Sequence, residues 1–149
     1  MLEIVVGVSI LTASFLGVLT VFNNLVKSSR SMIHLYQSAF LLEEGVEAGR
    51  ILRDQSWTNL GGWSSGTAYH LVWTGSAWST STTPTLLDGL YERKITETNV
   101  SRDNISQDIV TSGGTLDPGT KLVTVTVAWL ESGATTTKSL STYLTNIVN

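Results

Sequence analysis

The acidic side chain of Glu3 stands at the head of a long apolar segment, where a charge is unusual. Ile4 to Phe22 is a run of 19 residues with no charged side chain. An ionised carboxylate is costly to bury unless it is paired, and the obvious partner is the N-terminal ammonium group of a neighbouring chain. One such pair would set the axial offset between two chains. The alternative is that Glu3 lies among lipid headgroups, where the N-terminal end of a helix dipole favours a negative charge.

The remaining polar residues show no spacing typical of a metal or catalytic site. His34 and His70 are not part of a His-x-x-x-His or Glu-x-x-His pattern, and the sequence contains no nucleophile elbow, phosphate-binding loop or dinucleotide motif. Glu43, Glu44 and Glu47 are typical of a solvated helix face. The chain has no cysteine, which excludes thiolate chemistry. We therefore expect no enzymatic activity, no metal and no cofactor.

Two features relate to sugars. Asn99 and Asn104 each begin an Asn-x-Ser sequon, so both are candidate glycosylation acceptors in a host that performs this modification. Trp57, Trp63 and Trp78 lie near predicted turns, where they could stack on sugars or unpaired bases. They could equally cover the helix or pack against a neighbouring subunit. With a net charge of -3 and no basic residues among the tryptophans, we expect no nucleic-acid binding.

The apolar segment predicts a helix over residues 1–26 that either spans a membrane or is covered by the same helix of other copies of the chain. Its 19 uncharged residues give about 28 Å of helix, close to the thickness of the hydrocarbon layer of a bilayer, ~30 Å. Ser9, Ala13 and Gly17 recur at intervals of four residues, and this stripe of small side chains would allow helices to approach closely. The alternative is that membrane helices simply tolerate small residues at these positions.

The helical pattern continues as an amphipathic helix over residues 27–56. No proline interrupts it, and apolar or small residues recur every three or four positions up to Leu52. We expect one helix from Leu2 to about Asp54. Gly45 and Gly49 on its second half predict close packing of the helix against a sheet of the same chain.

The spacing changes to a period of two in residues 57–149, which predicts an antiparallel β domain. The chain is therefore predicted to have an α+β fold, with a long N-terminal helix packed against a C-terminal antiparallel sheet. The Asp117-Pro118-Gly119 segment predicts a turn before the longest strand. The final strand is expected to contribute Leu140 and Leu144 to the core, beside Trp129. The predicted strands cover 68–74 and 77–80 around a Gly75-Ser76 turn, 90–96, 121–131, and 134–146 after a Ser132-Gly133 turn.

Three of these features together resemble the type IV pilin family, which includes the type II secretion pseudopilins. The first is Leu2-Glu3-Ile4-Val5-Val6 followed by the uncharged run, and the second is the uninterrupted helix. The third is the closing hairpin, in which Val123-Thr-Val-Thr-Val-Ala-Trp129 and Leu140-Ser-Thr-Tyr-Leu-Thr-Asn146 are similar to the end of minor pilins of the pilus modification type.

The resemblance implies a structural subunit that enters the cytoplasmic membrane as a precursor and then polymerises into an extracellular surface filament. Its implied partners are membrane lipid, prepilin peptidase, the pilus assembly machinery and other copies of itself, and its N-terminus is often methylated in the family. The family glutamate usually follows four residues, whereas Glu3 follows two, so we expect either a start two residues upstream or an unusual mature end. Lys27 and Arg30 would place the β domain in the cytoplasm by the positive-inside rule, and the opposite orientation implied by the family depends on a basic leader that is removed. The alternatives are a minor pilin or pseudopilin, or a single-span membrane protein whose extracytoplasmic β domain binds a partner without polymerising.

Overall fold

The computed structural model describes residues 1–147 of the 149-residue chain, which divides into two compact units, residues 1–37 and residues 38–149. The predicted domain boundaries after residues 26 and 56 mark changes in hydropathy, and neither coincides with the boundary between these units after residue 37. The predicted β domain, 57–149, ends in two residues that lie outside the described part of the chain.

Helix α1 spans Leu2–Gln55, which confirms the predicted helix to within one residue at its end. In the first unit, residues 1–25 are all exposed, so none of the apolar side chains between Ile4 and Phe22 is covered by the chain itself. By length and composition, α1 is the one helix among residues 1–147 that could cross a membrane.

Four hydroxyl groups in the apolar half of α1 are bonded to the backbone of their own helix. The side chains of Ser9, Thr12, Ser14 and Thr20 each donate to the carbonyl oxygen four residues earlier, at 2.7 to 2.9 Å. This local bond allows a hydroxyl to sit on an apolar surface without a partner from outside the helix.

The second unit contains the end of α1, the short helix α2 (Thr58–Gly61) and an antiparallel sheet of seven strands. The strand order is β2-β1-β4-β6-β7, and the two-residue strands β3 and β5 pair with β4. Gly75 has φ +94° in the β1–β2 turn, and Ser132 and Gly133 both have positive φ in the β6–β7 turn. Both predicted hairpin turns are therefore present. The strands are β1 Ala68–Trp73, β2 Trp78–Ser81, β3 Leu86–Leu87, β4 Tyr91–Arg102, β5 Ile109–Val110, β6 Thr115–Glu131 and β7 Ala134–Thr145.

The last four turns of α1 pack on one face of the sheet, which we call the inner face. A β-carbon added at Gly45 would lie 2.6 Å from Val125 Cγ1, and one added at Gly49 would lie 3.1 Å from Ile95 Cδ1. The helix therefore approaches the sheet at its glycines, as predicted. The inner face carries Tyr91, Arg93, Ile95 and Glu97 of β4, and Lys121, Val123, Val125, Val127 and Trp129 of β6, all of which are buried.

The Asp117-Pro118-Gly119 segment is a bulge inside β6, so its predicted role as a turn is wrong. Asn99 pairs with Lys121, but the next residue, Val100, pairs with Asp117, so residues 118–120 have no partner on β4. Proline has no N–H to donate to a ladder, which suits it to an unpaired position of a strand. Asp117 Oδ1 accepts a hydrogen bond from the Gly119 amide at 2.9 Å, which closes the bulge locally.

The two leucines predicted to anchor the last strand differ in burial. Leu144 is buried, whereas Leu140 is 40% exposed. Leu140 lies on the edge strand β7 and lines a shallow cleft with Glu43, Glu47 and Arg50 of α1. These charged side chains leave Leu140 only partly covered.

Candidate functional site

The residues predicted to act in assembly all lie on the exposed apolar part of α1. Glu3 is exposed in the first helical turn, where its charge faces the positive end of the helix dipole. Ser9, Ala13 and Gly17 are exposed as well, and a β-carbon added at Gly17 would meet no atom within 4 Å. This surface is therefore open to a neighbouring helix or to lipid.

The apolar side chains of this helix are so exposed that contact with water would be energetically unfavourable. Ile4 is 70% exposed, Leu11 is 70% exposed and Phe22 is 62% exposed. Apolar surface in water is unfavourable by about 25 cal/mol per Å². A patch of this size on a soluble protein marks an interaction with a membrane or another protein.

The two histidines lie in different surroundings. His34 is partly exposed on α1, whereas His70 of β1 is buried. Its Nε2 atom is 3.8 Å from Glu92 Oε1, and Nδ1 has no hydrogen-bond partner within residues 1–147. His70 is therefore a buried histidine with one ring nitrogen beside a carboxylate and the other unpartnered among the described residues. Among the described residues, no three His, Cys, Asp or Glu side chains lie close enough to hold a metal ion.

Three of the tryptophans cover the core beside the helix. Trp57, Trp63 and Trp78 are partly buried and pack against the hydrophobic core. Trp63 and Trp78 also line an open cleft of about 400 Å³ together with the neutral polar residues Gln55 and Asn59. The indole rings therefore serve mainly as packing groups, and their remaining exposed edges border a polar cleft.

The two sequon asparagines are both held by hydrogen bonds to their side-chain oxygen. Asn99 Oδ1 accepts from Lys121 Nζ at 2.6 Å, within the β4–β6 ladder. Asn104 Oδ1 accepts from the Thr115 hydroxyl, also at 2.6 Å, in the turn that follows β4. Both residues are exposed, so a bulky group attached to either could extend into solvent.

Charged residues also lie on the inner face, which the sequence analysis did not anticipate. Arg93, whose side chain is only 2% exposed, forms an ion pair with Glu44 at 2.8 Å and stacks over the Trp78 ring at 5.1 Å. Arg93 also donates to the Leu41 carbonyl of α1 at 3.4 Å. Arg93 therefore ties the helix to the sheet. The signal in the sequence was the alternation in Tyr91-Glu-Arg-Lys-Ile95, which places Arg93 on the same face as the two apolar residues.

A second cluster of charges lies where β4, β6 and the bulge meet. Arg102 Nε donates to Asp117 Oδ2 at 2.7 Å, and its other nitrogens donate to the Gln107 carbonyl and the Thr120 hydroxyl. The hydrogen bond from Arg102 is the largest effect that lowers the pKa of Asp117, and the Thr120 hydroxyl lowers it further. These bonds hold the bulge in place.

The third cluster is the most deeply buried. Lys121 Nζ is 3.1 Å from Glu97 Oε2, and the side chain of Glu97 is fully buried. Despite this separation, neither Glu97 oxygen has a hydrogen-bond partner within residues 1–147. Lys121 Nζ is therefore directed to Asn99 Oδ1 and contacts the carboxylate only as a charge.

The chain was compared with protein-family models, with curated proteins and with solved structures. These comparisons found no match to a family model, a curated protein or a solved structure.

Proposed function

We propose that the protein is the structural subunit of a type IV pilus-like surface filament. In this proposal the exposed apolar half of α1 forms the core of the filament, and the second unit forms its outer coat. The observation that carries the proposal is the exposure of residues 1–25 in a helix that continues into a well-packed α+β unit. An apolar helix of this kind must be covered by lipid or by other helices, and a helical polymer of the same chain supplies the latter.

Moving the apolar half of α1 from lipid into contact with neighbouring helices requires a source of free energy. In the membrane the apolar side chains are already out of water, so their burial in a filament gains little from the hydrophobic effect. Close packing at Gly17 and pairing of the Glu3 carboxylate with a neighbouring N-terminal ammonium supply specific contacts that lipid lacks. An external machine would extract each subunit from the bilayer.

The Glu3→Ala variant tests this assignment, with Glu3→Asp as the charge-retaining control. Loss of the carboxylate should leave membrane insertion unchanged, because the apolar run is intact, and should reduce filament yield by about tenfold or more, since breaking a buried ion pair is strongly unfavourable. The yield is measured by electron microscopy of sheared filaments labelled with antibody to the second unit. A normal yield from Glu3→Ala would contradict the pairing.

The same labelling distinguishes a principal subunit from a minor one. Label along the whole filament is expected for the principal subunit. Label confined to the tips would favour a minor pilin or pseudopilin, and filaments without label would favour a membrane protein that does not polymerise.

The second candidate is a single-span membrane protein whose β domain binds a partner. The observation that favours it is the cleft between Trp63 and Trp78, with the amide side chains of Gln55 and Asn59 at its border. Indole rings beside neutral hydrogen-bonding groups are suited to sugars. A Trp63→Ala variant that lost binding to cell-surface glycans but kept its membrane insertion and its fold would support this candidate.

A further inference from the structure

We propose that Lys121 and Asn99 become joined by an amide bond between their side chains, with Glu97 as the catalytic acid and base. The three residues lie together on the inner face of the sheet, Glu97 and Asn99 on β4 and Lys121 on β6. This is a covalent modification site within the second unit. It does not depend on the proposed filament function.

The sheet register places the two reacting side chains opposite each other. Asn99 and Lys121 are directly paired, and Glu97 precedes Asn99 by two residues on the same face. Residues directly opposite in an antiparallel pair have β-carbons about 4.5–5.5 Å apart. The adjacent bulge, held by Arg102 and Asp117, fixes the end of the ladder at this point.

The two reacting groups are already in hydrogen-bond contact. Lys121 Nζ lies 2.6 Å from Asn99 Oδ1. The amide carbon is bonded to that oxygen, so it lies no more than about 3.8 Å from Nζ for a C=O bond of ~1.23 Å. Attack requires the lysine side chain to rotate until the two atoms are within the near-attack range of about 3–3.5 Å.

Burial supplies the activation of the lysine. The exposed fraction is 0% for Glu97 and 7% for Lys121. Transfer of one proton from the ammonium to the carboxylate removes two charges from an apolar interior, where isolated charges are unfavourable. The transfer also leaves the lysine as a neutral amine, the nucleophilic form.

The reaction balances without an oxidant or a co-reactant. Nζ attacks the amide carbon of Asn99, the Nζ–Cγ bond forms, and the Cγ–Nδ2 bond breaks. Nδ2 takes one proton and leaves as ammonia, for which the exposed side of Asn99 gives a path to solvent. One further proton remains on Glu97, which is left as a neutral carboxylic acid.

The product would satisfy the polar groups that are unsatisfied before the reaction. The carboxylic acid has one O–H donor and one free acceptor oxygen, and the new side-chain amide has one N–H and one C=O. Glu97 could then donate to the amide oxygen or accept from its N–H. In the proposal, the unpartnered oxygens of Glu97 gain hydrogen-bond partners once the amide between Lys121 and Asn99 has formed.

The test is the intact mass of the full chain purified in detergent, followed by sequencing of its proteolytic peptides. We expect a mass about 17 Da below that of the unmodified chain, because one ammonia is lost, and a branched peptide that joins the segments around Asn99 and Lys121. An unmodified mass with both peptides linear would overturn the proposal. A gain of about 1 Da at Asn99 would overturn it too, because it indicates hydrolysis of the amide instead.

Three variants assign the roles. Glu97→Gln keeps the shape of the side chain but cannot take the proton, and Lys121→Arg removes the amine, so both should retain the full mass. Lys138→Arg, at an exposed position on β7, should show the same loss of ammonia as the wild type. The mass of the wild-type protein is decisive by itself, so a variant that fails to fold leaves the test intact.

Discussion

The contact between Gly45 and Val125 gives the most direct test of how α1 is seated on the sheet. In the Gly45→Ala variant the new methyl group would lie 2.6 Å from Val125 Cγ1 and 3.3 Å from Arg93 Cδ. Val125 is fully buried, and its β-branched side chain has few alternative rotamers. The helix must therefore move away from the sheet.

The expected loss follows from two opposing effects. Overpacking a well-packed core costs about 1–3 kcal/mol, and a 2.6 Å contact with a rigid neighbour belongs at the upper end. Alanine in place of glycine favours a helix by about 1 kcal/mol. We therefore expect Gly45→Ala to lower the free energy of unfolding of the second unit by about 2 kcal/mol, which corresponds to a decrease in melting temperature of roughly 8 °C.

Gly49→Ala is the matched control on the same helix face. Its methyl group would lie 3.1 Å from Ile95 Cδ1, the flexible end of a longer side chain. The cost of the small adjustment and the gain in helix propensity should cancel to within about 1 kcal/mol. Urea titration of the full chain in detergent, monitored by tryptophan fluorescence, measures the free energy of unfolding of both variants.

A double variant checks the cause. If the Val125 side chain produces the clash, Gly45→Ala combined with Val125→Ala should cost about 1–2 kcal/mol less than the sum of the single changes. Equal stability of Gly45→Ala and Gly49→Ala, or strict additivity in the double variant, would refute the close-approach argument.

Two further predictions concern the charged residues of the second unit. Glu44→Gln should destabilise the second unit by about 1–3 kcal/mol, because it leaves the buried Arg93 guanidinium without its charged partner. Glu47→Gln, at an exposed ion pair, should change stability by less than about 0.5 kcal/mol. Thermal unfolding measures the difference, and equal effects of the two variants would contradict it. The pKa of Asp117 is lowered in the folded state, chiefly by Arg102, so its contribution to stability is present above the ordinary carboxyl pKa of ~3.8 and is lost as the pH falls through the lower folded value. Asp117→Asn should therefore reduce stability at pH 7 by about 1–2 kcal/mol and flatten the acid limb of the stability curve, and an unchanged acid limb would exclude this role.

The sequence was sufficient for the elements whose signals are local. The proline-free apolar run predicts α1 to within one residue, and the alternation around Val125 predicts the inner face of β6, including the buried Trp129. Gly45 and Gly49 could be assigned to close packing because both lie on the apolar side of a helix.

The features that were missed depend on partners distant in sequence. Glu97 and Lys121 look like solvent-facing charges in their own segments, and only the pairing of β4 with β6 brings them together in the interior. Asp117-Pro118-Gly119 predicts a turn because the same residue types favour turns and bulges, and the choice between the two depends on whether the preceding chain continues the strand pairing. The short strands β3 and β5 have too few residues for a periodic signal.

The inward hydrogen bonding of the hydroxyl groups on α1 determines what kind of contact this helix surface can make. Ser9, Thr12, Ser14 and Thr20 use their protons on their own backbone, so they present mainly methyl, methylene and lone-pair surface to a neighbour. Such a surface packs against a neighbour through the fit of its shape, because its hydroxyl protons are already donated to its own backbone. Within residues 2–22, Glu3 is the one charged side chain, so a charge-assisted bond from this surface to a neighbour would come only from its N-terminal end.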